Sequence, residues 1–382
     1  MKWKIPLFKT YSDKDDEKAV IEVIRRGTYW AAGPEISEFE KRVAEYVGTK
    51  YALSFNSGTS ALHTLLLACN IKNKEVIVPS FTFVATANAV LLAGGIPVFA
   101  ETEYTTFGLR YGDVKKKITK KTRVIIQLHY GGFPGRDTLL LRELAKKRGI
   151  LFLEDAAESL GASINNQKVG SFGDASIFSF CQNKIISTGE GGMITTDSKE
   201  LYEKSKLLRS HGRVEDAVDY FSSIGNNDYI EPGYNFRMSS MSSALGLSQF
   251  KKIEKIIKLR QMWGKYITSH LSGIEWMIPP AEMIGLRSIY QMYTLKILES
   301  GLRDSLQSYL ARKGIMSKVY FTPLHLMIIY KKLGYKKGDL PETELLSSKV
   351  LTIPIYPDMT KKEADYIIKS IKEFDVNHGK KA

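Results

Sequence analysis

Three short stretches of the sequence hold residue types that could do chemistry. In "FSFCQNKIISTGEGGM", residues 178–193, a lone lysine, Lys184, follows an apolar run and precedes a cluster of glycines, with no acidic residue within five positions on either side. Such a lysine is a solvated loop residue, a phosphate contact or, in a partly dry cleft, a nucleophile able to form a Schiff base. In "FLEDAAES", residues 152–159, Asp155 ends an apolar run. A carboxylate there is costly unless it meets a positive charge or several donors. It either caps a following helix or holds a protonated heterocyclic nitrogen. In "NSGTSALH", residues 56–63, Gly58 sits among hydroxyl residues just ahead of a helix-forming run. That is a plain N-cap, or an anion cradle in which first-turn N–H groups and the helix dipole face a phosphate. Neither GxxxxGK[ST] nor GxGxxG occurs, so nucleoside-triphosphate and dinucleotide motifs lend no support.

The surrounding pattern says where these stretches sit. Short apolar runs at 51–55, 75–79, 96–101, 123–130, 150–155, 175–180 and 192–197 alternate with helical segments. That alternation predicts an α/β fold with a mostly parallel sheet covered by helices. Such sheets bind ligands beyond the carboxyl ends of their strands. The residues next after the strands are Asn56 to Ser60, Ser80 to Phe83, His129, and Cys181 to Lys184, with Asp155 ending its own strand. All of these converge on one cleft. Before the first strand, Ser37 and Glu40 form a capping box for a helix that stops at Gly48. Later, 242–261 reads as one long amphipathic helix, 288–298 as a strand, and Thr360 with Glu363 as a second capping box ahead of the last helix. The chain divides into a large domain, residues 1–250, and a smaller C-terminal α/β domain, residues 251–382.

Placed in one cleft, a phosphate cradle, a strand-end carboxylate and a lysine are the three anchors that pyridoxal phosphate (PLP) needs. The cradle fixes the phosphate, the carboxylate keeps the pyridine nitrogen protonated, and the lysine carries the aldehyde carbon. Phe83 would supply an aromatic face for the ring. Composition narrows the alternatives. The chain has 382 residues, 43% of them hydrophobic and 25% charged, as in a soluble globular protein. No apolar run approaches the roughly 20 residues of a membrane helix, and charges interrupt any signal-peptide core at the N-terminus, so a cytoplasmic protein with no membrane partner is expected. Cys69 and Cys181 form no CxxC pair and the six histidines no HExxH spacing, so no metal is expected. Cys181 reads as a packing residue. The net charge of +14 is spread along the chain; its dense runs, "KKKITKKTR" and "HGKK", read as solvated helix ends and a terminus, and no nucleic-acid partner is expected.

The ordered motifs "GTYWAAGPEISEFEKRVAEYVG", "NSGTSALH", "VIVPSFTFVATANAV", "EDAAESLGA", "FSFCQNKIISTGEGGMITT", "GYNFRMSSMSSALGLSQ", "TPLH" and "VLTIPIYPDMT" span nearly the whole chain. In them the sequence resembles the DegT/DnrJ/EryC1/StrS sugar aminotransferases, with the aspartate-aminotransferase-like fold (PLP fold type I). That resemblance implies a PLP enzyme that moves an amino group from an amino acid, L-glutamate, to a nucleotide-linked keto-sugar. Lys184 is then the Schiff-base lysine and general acid/base, and Asp155 the partner of the pyridine nitrogen. Gly58, Thr59, Ser60 and Ser179 hold the phosphate. Asn235 reaches the cofactor phosphate of a second subunit in a homodimer with shared sites. Arg237 belongs to that shared region, and His325 lies near the sugar nucleotide. Glu158 departs from the Gln or His common at its position near the ring hydroxyl. Lys184 argues against the branch with His there, which acts as dehydratases. "QNKIISTGEGG" is most similar to members that aminate C4 of a 4-keto-6-deoxy sugar, of the perosamine or bacillosamine kind. C3 amination and a non-catalytic PLP-binding regulator are the alternatives.

Overall fold

The computed structural model describes residues 3–214 and 228–379; the basic tail beyond Gly379 lies outside them. In chain order the strands are β1 (Tyr51–Phe55), β2 (Glu75–Pro79), β3 (Ile96–Ala100), β4 (Thr122–Leu128), β5 (Leu151–Asp155), β6 (Ser163–Ile164), β7 (Gln167–Lys168), β8 (Ala175–Ser179), β9 (Gly192–Thr196), β10 (Met277–Ile278), β11 (Leu286–Arg287), β12 (Tyr293–Ile297) and β13 (Val350–Ile353). Seven of them form the main sheet in the order β1-β9-β8-β5-β4-β2-β3. β3, β2, β4, β5 and β8 run parallel, and β9 is antiparallel to both of its neighbours. The parallel pairs need long crossover connections, which for β5 and β8 is the segment 156–174 with the short strands β6 and β7, whereas β8 and β9 are joined by the loop that carries Lys184 and can pair directly. This reversal keeps the Lys184 loop at the same edge of the sheet as the carboxyl ends of β1, β2, β4 and β5. Both faces are covered. Leu53, Val76, Val124, Leu153 and Ile177 pack under the helix Gly58–Ala68, and Ile77, Ile125 and Phe152 under the helix Thr138–Arg148.

A second sheet, β10-β12-β13, has its own core of Tyr293, Leu295, Leu351 and Ile353 against the helices Leu302–Arg312 and Lys361–Gly379. Thr360 and Glu363 cap the last helix reciprocally, as the sequence predicts. Three local expectations fail. Ser37 is not a cap: the helix Pro34–Val47 begins after Gly33, with Pro34 at its first position, and the Ser37 hydroxyl folds back on the Pro34 carbonyl at 3.1 Å. Glu40 instead accepts from the Ser54 N–H at 2.7 Å, while Gly48, at φ 87°, ends the helix as expected. The segment 242–261 is not one helix but parts of two, Ser240–Phe250 and Ile253–Leu271. Between them Lys252 is drawn to Asp13 and Asp16 at 2.6 and 2.7 Å. The strand expected over 288–298 is confined to 293–297, because the carbonyls of Tyr290 and Gln291 turn to the buried Arg260 guanidinium, at 3.1 and 3.3 Å.

Candidate active site

The helix start after β1 is both a cap and a cradle. Ser57 caps the helix Gly58–Ala68 by accepting from the Ser60 N–H at 3.0 Å, and its hydroxyl pairs with that of Ser60 at 2.8 Å. The N–H groups of Gly58 and Thr59 precede the first intrahelical bond, and the Thr59 side chain is exposed. Two glycines clear the space around them. A Cβ on Gly58 would come within 3.0 Å of the Ser179 Cβ. One on Gly192 would come within 2.4 Å of the Ser57 carbonyl oxygen and 2.6 Å of the Gly58 nitrogen. Gly192 pairs with both Phe55 and Ser179, so the ends of β1 and β8 and the beginning of β9 meet beneath the cradle.

Asp155, at the end of β5, is buried. No helix comes after it; residues 156–162 form turns, which removes the helix-cap reading. Its Oδ2 accepts from the Thr86 hydroxyl at 2.7 Å and its Oδ1 from the Ala157 N–H at 3.2 Å. Burial pushes this carboxyl above the ordinary aspartate value; the Thr86 and Ala157 bonds pull it back, nearby Glu158 raises it and nearby Lys184 lowers it. Sequence reasoning missed Thr86. Its only sequence signal is a hydroxyl at the second position of the helix Ala85–Leu92 after β2, and which carboxylate it would meet is set by the β2-β4-β5 order. Phe83, just before that helix, is 60% exposed, with the Phe321 ring 6.3 Å away.

The acidic partner that Lys184 lacks in sequence arrives through the fold. Its Nζ lies 3.3 Å from Glu158 Oε1, both side chains being largely buried. Glu158 Oε2 accepts from the Gly131 N–H at 2.9 Å, which ties the pair to the turn after β4. The lysine loop is pinned on both sides: the Thr10 hydroxyl donates to the Gln182 carbonyl at 2.8 Å, and Gln291 Nε2 to the Asn183 carbonyl. Cys181 is half-buried with its Sγ 3.6 Å from Glu190 Oε1, so it lines the loop rather than packing in the core. Asn235 is exposed and Arg237 half-buried. Their segment adjoins the cradle, where the Asn56 N–H donates to the Phe236 carbonyl at 2.8 Å. His325 differs from expectation. Its side chain has 0% exposure, with Nδ1 2.7 Å from the Ser80 hydroxyl and Nε2 3.1 Å from Glu344 Oε1, which leaves no ring nitrogen for a substrate.

These residues fit PLP. The glycine-cleared helix start suits a phosphate, the partly satisfied carboxylate a protonated ring nitrogen, the exposed aromatic the ring face, and the buried amine the aldehyde.

The known proteins this chain is similar to agree. It is 32% identical to the GDP-perosamine synthase of Vibrio cholerae, over 97% of this chain and 99% of that protein. Among solved structures it overlays Helicobacter pylori PseC, an aminotransferase involved in the biosynthesis of pseudoaminic acid. The TM-score is 0.91 at 29% identity, covering 98% of this chain and 99% of that one. It also overlays the putative sugar aminotransferase Spr1654 from Streptococcus pneumoniae in its pyridoxamine phosphate form, with a TM-score of 0.92 at 27% identity, over 98% and 100% of the two chains; that protein is solved in a PLP form as well. The family profile matches residues 10–372. The chain belongs to the DegT/DnrJ/EryC1/StrS aminotransferase family, PLP-dependent enzymes that aminate sugars.

Proposed function

We propose that the enzyme transfers the amino group of L-glutamate to C4 of a nucleotide-linked 4-keto-6-deoxy sugar. What carries the reading is the meeting of Lys184, Asp155 and the Gly58–Ser60 helix start at one edge of the sheet. Support for C4 comes from the likeness of "QNKIISTGEGG" to C4-aminating members and from the similarity to a GDP-perosamine synthase.

When bound, the cofactor supplies an aldehyde carbon that takes up the amino group and a ring that accepts electrons from the reacting carbon. Gly58, Thr59, Ser60 and Ser179 hold its phosphate. Phe83 would offer its exposed face to the ring, and Asp155 would hold the proton on the ring nitrogen. The Lys184 amine would act as the general acid/base that takes the proton from the donor's α-carbon. Glu158 stands beside that amine. Glutamate leaves as its keto acid before the keto-sugar enters, so the kinetics are ping-pong. Asn235 and Arg237 serve the site of a second subunit in a homodimer.

The test is a panel of nucleotide keto-sugars with glutamate, the amino position being read by NMR. Amination at C3 alone would overturn the regiochemistry. Borohydride should fix PLP on the peptide containing Lys184, and Lys184→Ala should bind PLP without turning over. Near-normal turnover by that variant would remove the nucleophile assignment.

A further inference from the structure

His325 and Ser80 are buried and, with the half-buried Glu344, form a Ser-His-Glu arrangement apart from the residues assigned to the cofactor. The His325 backbone N–H donates to the Ser80 Oγ at 3.1 Å, and the ring Nδ1 lies 2.7 Å from the same hydroxyl. The Glu344 carboxylate can only accept, so Nε2 carries the ring proton and donates it to Oε1 at 3.1 Å, an oxygen that also accepts from the Gly338 N–H at 2.7 Å; in the neutral ring Nδ1 is then the acceptor of the Ser80 hydroxyl. Hydrolytic triads combine the same residue types, but Ser80 has no exposed surface and no room for an acyl group.

What the arrangement does is hold a turn. The Leu324 N–H donates to the Ser80 carbonyl at 2.8 Å, and the Phe321 ring lies 6.2 Å from Phe81 and 6.3 Å from Phe83. Segment 320–325 therefore walls segment 80–83 along its length. Beyond Phe83 the same stretch of chain enters the helix whose Thr86 donates to Asp155. We propose that His325 is a positioning residue for the cofactor rather than a substrate contact. Through Ser80 it sets the turn that presents Phe83 to the ring and Thr86 to Asp155. This rests on the reading that Phe83, Asp155 and Lys184 hold PLP.

Two substitutions separate the ring nitrogens. His325→Asn keeps an acceptor where Nδ1 stands and loses the Glu344 bond; His325→Gln keeps a donor near Nε2 and loses the Ser80 bond. Loss of one buried hydrogen bond corresponds to about tenfold in an equilibrium constant. Reconstituting the cofactor-free protein with PLP, His325→Gln and Ser80→Ala should each weaken PLP binding about tenfold and reduce the visible circular dichroism of the bound cofactor, while His325→Asn stays within about threefold of wild type. The KM for the keto-sugar should change little in all three. If both His325 variants instead raise that KM equally, with PLP affinity and dichroism unchanged, His325 contacts substrate and the proposal is overturned. If His325→Gln does not fold, Ser80→Ala decides alone, and unchanged PLP affinity overturns the proposal. Borohydride labelling of the wild type keeps the two readings apart: no label on Lys184 removes the cofactor site itself, whereas a label on Lys184 with an unaffected Ser80→Ala removes only the positioning role.

Discussion

Glu154 and Asp155 are consecutive carboxylates at the end of β5, on opposite faces of the strand, and both are buried. Glu154 is saturated: it accepts from His129 Nε2, the Ser176 hydroxyl and the N–H groups of Gly170, Phe172 and Gly173, at 2.7–2.9 Å. Asp155 accepts from Thr86 and Ala157 alone among the described residues. Burial by itself would raise Glu154, but the His129 bond and the N–H groups outweigh it and the carboxyl ends below its ordinary value. Asp155, with fewer donors and Glu158 nearby, ends above. A buried carboxylate with every lone pair used holds the fold together. One left short of donors has a vacancy that a protonated ring nitrogen can fill.

The largest effect that would sharpen the contrast is functional. Asp155→Asn should lower kcat by about 10³-fold, the scale of removing one electrostatic stabiliser. It should not weaken the cofactor-free fold. Because the folded value is raised, the contribution of Asp155 to stability is fully present below the ordinary value of 3.8 and is lost as pH rises through the raised one. Asparagine avoids that loss, so the cofactor-free variant should melt no lower than wild type at pH 7, and any advantage should vanish in acid. A clear loss of stability at pH 7 would mean that Asp155 is structural after all.

Glu154→Gln should do the reverse. Breaking a buried, charge-assisted network by an isosteric change costs about 3 kcal/mol, read as a lower denaturant midpoint, with turnover per folded molecule retained. The sign with pH is opposite. A depressed carboxyl contributes stability above its ordinary value of 4.5 and loses it as pH falls through the depressed one. The gap between wild type and variant should therefore close in acid. An inactive variant of normal stability would erase the distinction between the two residues.

Much of this end of the sheet could be read in advance because it is local. The apolar runs locate the strands, and ligands of parallel sheets gather at the carboxyl ends of those strands, where Asp155, Gly58 and Lys184 stand. What escaped depends on contacts remote in sequence. Glu158 reaches Lys184 across 26 positions, and Thr86 reaches Asp155 across 69. Nothing in "TPLH" announces that Ser80, 245 positions away, will bury His325. The misplaced cap at Ser37 failed for a different reason: Gly33-Pro34 is an equally good local start, and the Ser54 N–H claims the Glu40 carboxylate. The break at Lys252 depends on Asp13 and Asp16, two carboxylates from the other end of the chain.

The smallest effect tests how much of the character of Asp155 is borrowed. Thr86 donates to it at 2.7 Å and is itself 3.1 Å from the Thr82 hydroxyl. Thr86→Val keeps the shape and the helix position and removes one donor from a charged acceptor, worth about 1.5 kcal/mol. Since the Thr86 bond is the largest of the effects pulling the Asp155 carboxyl down, its loss should raise that carboxyl further. The expected result is about a tenfold fall in kcat, with the pH at which the visible band of the bound cofactor changes shifted upward. Ser at the same position restores the hydroxyl and should restore both readouts. If Val and Ser behave alike, the hydroxyl contributes only packing. Asp155 would then be tuned by burial, the Ala157 N–H and its charged neighbours.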